Sequence, residues 1–108
     1  MDEEMNIFEK IADQHSGERK SLVDNPAYVS LAICGEAGEL ANLIKKQWAG
    51  YQKVDNGAIK KELADVVNYC LHMTLALGMT FEELDNICVE KHHAFMKKLA
   101  ASQQSAQE

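Results

Sequence analysis

The sequence holds a single proline, Pro26, and six glycines in 108 residues. An all-β sandwich needs turn residues between many short strands, and this supply is too small for one. Long apolar runs are missing too. Nothing approaches the roughly 20 apolar residues that span a bilayer, so no membrane partner is expected. Basic residues are in deficit: eleven Lys and Arg stand against seventeen Asp and Glu, a formal net charge of −6. Coating a phosphate backbone requires the opposite balance, so no nucleic-acid polymer is expected as partner. One nucleotide held through a metal ion remains compatible with that charge. The opening Met1-Asp2-Glu3-Glu4 is acidic, the reverse of a secretory leader. Cys34, Cys70 and Cys88 form no CxxC pair and sit among apolar neighbours. Reduced, buried thiols in a cytoplasmic protein are the expectation.

What is present reads as helix. The hydrophobic fraction is 46% and the charged fraction 26%, a folding composition. Met5, Phe8, Ile11 and Ala12 step by three and four, predicting a first helix over residues 3–20, followed by a linker over 21–25. Asn25 and Pro26 form a start signal for a second helix over 27–48, and Gly50 stops it. Gly35 and Gly38 lie inside that helix, where each costs about 1 kcal/mol against alanine. Close approach by another helix or a ligand would account for them. Residues 51–57 read as a polar loop, and 58–77 as a third helix ending at Gly78. Thr80-Phe81-Glu82-Glu83 is a capping box for a fourth helix reaching about residue 100. Residues 1–100 are thus expected to form one helical domain, and 101–108 a disordered tail. Short connections favour antiparallel neighbours, so the fold class is an all-α four-helix bundle.

The chemistry lies in two acid pairs. Glu36 and Glu39 are three residues apart, and Glu62 and Asp65 repeat that spacing on the next helix. All four lie in or beside an apolar stripe. Ionised carboxylates sharing a low-dielectric site repel strongly unless a cation joins them. All-oxygen ligands select hard ions, Mg²⁺ or Mn²⁺, over zinc. Acids that merely share a spacing on solvated helix faces would look the same. A di-iron bundle would want Glu-x-x-His on two helices, and the second and third helices lack it.

These residues resemble a known family. Gly35-Glu36-Ala37-Gly38-Glu39-Leu40, followed by Glu62-Leu63-Ala64-Asp65-Val66-Val67-Asn68-Tyr69, looks like the signature of the MazG-type all-α nucleotide pyrophosphohydrolases. The usual form is EExxE, a spacer, then ExxD. Gly35 stands where many members carry the first Glu, which leaves the number of metals open. Pro26 and the Gly-Glu-x-Gly-Glu-Leu-Ala string are similar to the compact integron-associated and dCTP-pyrophosphatase branch. The resemblance covers about residues 25–95. It implies a Mg²⁺-dependent enzyme, with Mn²⁺ a possible substitute, that cleaves a nucleoside triphosphate into a monophosphate and pyrophosphate. It further implies Glu36, Glu39, Glu62 and Asp65 as metal ligands, Glu36 and Glu39 as catalytic, and Glu39 favoured as the base. A dNTP preference of dCTP or dATP type and a house-cleaning role in the nucleotide pool are also implied.

Around the acids, Lys46 lies two turns beyond Glu39 and can reach a phosphate, as can Lys53. Lys60 and Lys61 read as solvated. Trp48 offers a flat partner for a base or for packing. Asn68 shares the face of Asp65 and can read a base or sugar edge. Tyr69 and Lys91 match an aromatic and a lysine of the relatives. The four histidines read as surface or packing residues. Apolar positions around much of the second and third helices call for a second copy. A homo-oligomer is expected, tetramer slightly favoured over dimer, with the base touching a neighbouring chain. The reading from a different class is a non-catalytic helical interaction module with a structural cation site.

Overall fold

A computed structural model describes residues 5–16, 22–50 and 53–107. Every regular element among them is helical, in agreement with the all-α expectation: α1 (Ile7–Ser16), a 3₁₀ turn (Leu22–Asp24), α2 (Pro26–Ala49), α3 (Asn56–Ala76) and α4 (Phe81–Gln107). The chain divides into two units, Met1–Gly78 and Met79–Glu108.

In the first unit each helix begins at a side-chain cap. Asn6 Oδ1 accepts from the Glu9 N–H at 2.9 Å, and the Asn6 amide returns to Glu9 Oε1 at 3.2 Å. This reciprocal cap starts α1 at Ile7 rather than near residue 3. Residues 1–4 and 17–21 lie outside the described residues, so the rest of the expected first helix and Ser21 of the linker fall there too. Asn25 accepts from the Ala27 N–H at 2.9 Å, Pro26 occupies the first turn, and Gly50 closes α2 at φ 75° with its N–H on the Lys46 carbonyl. Asp55 caps α3 through the Gly57 N–H at 3.0 Å. The helix therefore starts at Asn56, two residues before the expected Ala58. An Asp-Asn-Gly string reads equally as turn or cap, and here the carboxylate finds the helix amide.

The principal helix packing in this unit is between α2 and α3. Gln47, near the end of α2, donates to Asn56 Oδ1 at 2.8 Å and to the Val54 carbonyl at 3.2 Å. Glu36, nearer the start of α2, meets Glu62 and Asp65 further along α3. Those two points of register run in opposite directions, so the pair is antiparallel. Ile11 of α1, Val29 of α2, and Leu71 and Thr74 of α3 are buried. The Thr74 hydroxyl donates to the Cys70 carbonyl at 2.9 Å, which removes the cost of burying it.

One expectation is corrected. All three cysteines are exposed, not buried. A residue's immediate neighbours point about 100° away on a helix, so apolar neighbours do not fix its facing. A Cβ built at Gly35 or Gly38 meets nothing within 4 Å, so no neighbouring helix among the described residues accounts for those glycines, which leaves close approach by a ligand.

In the second unit Thr80 caps α4, its Oγ1 accepting from the Glu83 N–H at 3.1 Å. The helix runs to Gln107, past the end near residue 100 that its apolar positions predict. The final stretch is rich in Ala and Gln, which favour helix, and contains neither Gly nor Pro. No helix among the described residues is long and apolar enough to cross a membrane.

Candidate metal centre and adjoining cavity

The antiparallel pairing of α2 and α3 brings Glu36, Glu62 and Asp65 together. One carboxylate oxygen from each lies within 4.8 Å of the others. Glu36 and Glu62 are half-buried and Asp65 is exposed. Glu36 Oε2 and Glu62 Oε2 are hidden from solvent and have no hydrogen-bond partner. Burial first, then the charge of Glu39, a side-chain hydrogen bond with Glu62 and the charges of Asp65 and Glu62 push the Glu36 carboxyl up to about 7 from 4.5. Glu39 acts on Glu36 through its charge but is itself exposed and outside the three-oxygen cluster.

This donor set fits a hard divalent cation. Oxygens on one octahedral Mg²⁺ lie about 3 Å apart when adjacent and about 4.2 Å apart when opposite, so three oxygens within 4.8 Å of one another draw together to share one ion. Buried acceptors without donors are costly, and a cation satisfies both at once. The cluster contains no histidine. One Glu-x-x-His spacing does occur, at Glu90 and His93 on α4, with both side chains exposed. A di-iron site of the Glu-x-x-His type needs two.

Asp65 also edges a half-open cavity of about 250 Å³, lined by Val23, Asn68, Tyr69 and His72 as well. Asp65, Asn68 and Tyr69, and His72 recur every three or four residues and make one stripe of α3. Asn68 and Tyr69, expected near the site, are therefore beside it. His72, expected to be a surface or packing residue, lines the cavity, and its place on the stripe was readable from its spacing. Behind it His15 Nε2 lies 3.1 Å from His72 Nδ1, and His15 Nδ1 lies 2.7 Å from Asp24 Oδ1. No local pattern announces that chain, because its members come from α1, the 3₁₀ turn and α3.

The other expected substrate contacts are not among the residues that line this cavity. Trp48 is 86% exposed and, with Ala41, Ile44 and Lys45, lines an open apolar patch on α2. Lys46 is half-buried on α2, and Lys53 is exposed in the segment before α3. Lys91 is exposed on α4, in the second unit.

Among known proteins, the model of the MazG-like family matches residues 32–107. No curated protein and no solved structure matches the chain.

Proposed function

The chain belongs to the MazG-like family, and we propose that it is a Mg²⁺-dependent nucleoside triphosphate pyrophosphohydrolase, releasing a monophosphate and pyrophosphate. The observation that carries this reading is the pair of buried, unpartnered carboxylate oxygens on Glu36 and Glu62 beside Asp65. A triphosphate cannot approach such a cluster unless positive charge intervenes. A divalent cation held by Glu36, Glu62 and Asp65 would supply that charge and activate water, with Mn²⁺ able to substitute for Mg²⁺. Glu39 is outside the three-oxygen cluster and faces solvent, which suits it to take the proton of the attacking water at its free carboxylate. Lys46 and Lys53 offer ammonium groups to the outer phosphates. Asn68 and Tyr69 border the cavity next to Asp65, where the sugar and base would lie.

In this reading the enzyme stands nearest the compact dCTP-pyrophosphatase branch, prefers deoxynucleotides of the dCTP or dATP type and clears the cytoplasmic nucleotide pool. It works as a homo-oligomer, the tetramer favoured, with a neighbouring chain closing the cavity over the base. The exposed apolar side chains of Leu31, Ile44, Trp48, Leu63 and Val67 support this assembly. The test is pyrophosphate release from a panel of canonical and modified NTPs and dNTPs, with Mg²⁺, with Mn²⁺ and with EDTA. Metal-dependent release from a subset of dNTPs is expected. Cation binding without turnover on any member of the panel would support the non-catalytic interaction module instead.

A further inference from the structure

The cavity beside Asp65 has a wall built for hydrogen bonding. His15 is only 10% exposed, and both of its ring nitrogens are engaged, one by Asp24 and one by His72. The His15 and His72 rings are 5.3 Å apart and tilted by 32°, and the Tyr69 ring lies 6.3 Å from that of His72. Three elements converge to hold one imidazole at the edge of a cavity. Nothing in the phosphate chemistry of the carboxylate cluster requires that arrangement.

With Asp24 ionised and both histidines neutral, the protons in this chain follow from its end. An ionised Asp24 carboxylate only accepts, so His15 Nδ1 carries the proton that faces it. In singly protonated His15 the other nitrogen, Nε2, is then an acceptor. His72 must donate to it from Nδ1, which leaves His72 Nε2 as a lone pair. Burial, followed by the neighbouring His15, holds His72 below the ordinary histidine range, against a smaller opposing effect of Asp24. A neutral ring is the form this assignment requires.

We propose that His72 is a specificity-determining residue that accepts a hydrogen bond from the exocyclic amino group of a cytosine- or adenine-type base, and that His15 and Asp24 are positioning residues that fix its tautomer. The inference rests on the nucleotide reading of the site and names the base edge that the site selects. Seven residues of α3 separate Asp65 from His72, roughly 10 Å along the helix. Phosphates at the carboxylates and a base at His72 therefore lie at opposite ends of one stripe, with Asn68 and Tyr69 between them. The cavity is just below the usual range for a drug-sized ligand, roughly 300–1,000 Å³, and suits a base with part of its sugar. A base bearing a keto group in place of the amino group would set one acceptor against another, the mismatch that polar sites discriminate against best.

The test uses the full chain with Mg²⁺ in mildly alkaline buffer, with dCMP and dUMP as probes that differ only on that base edge. Calorimetry should show dCMP bound about tenfold more tightly. His72→Phe should erase the difference. Asp24→Asn should shrink it, while circular dichroism shows the helices unchanged. Nitrogen-15 NMR of the imidazoles reads the tautomer directly. His72 should carry its proton on Nδ1 in the parent chain and populate the Nε2–H form in Asp24→Asn, a change that loss of packing alone would not produce. Equal binding of the two monophosphates, no binding of either, or His72 found as the Nε2–H tautomer in the parent chain each overturns the proposal. Hydrolysis of triphosphates with equal monophosphate binding overturns this inference alone. Selective dCMP binding without any hydrolysis overturns the enzymatic reading and leaves this one standing.

Discussion

At the scale of single residues, the chemistry rests on carboxylates held where water does not fully reach them. The Glu36 carboxyl is raised to about 7 in the folded chain, against 4.5 ordinarily. The folded state therefore holds its proton more tightly than the unfolded state does. Its stabilising contribution is complete below pH 4.5 and is lost as the pH rises to about 7. Thermal midpoints measured in EDTA should fall over that interval, and Glu36→Gln should flatten the slope. Glu39→Gln should lower turnover by ~10²–10⁴-fold, the usual span for removing a general base, with the helical signal intact. Steady-state kinetics beside circular dichroism checks this, and unchanged turnover would take Glu39 out of the chemistry. The acid pairs were legible because an i, i+3 spacing on two helices joined by a short loop brings the acids to one place. The separation of Glu39 from the other three was not legible. Which member of a pair reaches the neighbouring helix depends on register, and register is a tertiary property. The chain from Asp24 through His15 to His72 was hidden for the same reason, since its two histidines are 57 positions apart.

At the scale of elements, the boundaries follow from local chemistry. Asn25-Pro26 and Gly50 mark α2 in sequence and in structure, because caps act within a few residues. Asn6 and Asp55 serve equally well and were missed, because Asn and Asp also favour ordinary turns. Asn25→Ala should cost about 1 kcal/mol by removing the side-chain acceptor at the start of α2. Urea denaturation of the apo protein measures this, and a loss confined to a few tenths would mean that the cap is dispensable. The end of α4 was not legible, because apolar spacing stops near residue 100 while the helix propensity of Ala and Gln carries the helix to Gln107.

At the scale of the whole molecule, a short acidic chain with few fully buried side chains presents a metal-ready cluster and leaves apolar surface exposed. Light scattering at low micromolar concentration should give two or four chains. Trp48→Glu should lower that mass by placing a charge on the α2 patch, and a fully active parent species near 12 kDa would remove the assembly. The central claim is that Glu36, Glu62 and Asp65 form a divalent-cation site. Calorimetric titration of Mn²⁺ into the metal-free chain tests it most directly. Saturable binding that strengthens as the pH rises through about 7, where Glu36 gives up its proton, is the predicted result, with binding lost in Asp65→Asn. A titration that is silent, or one that Asp65→Asn leaves unchanged, would contradict it.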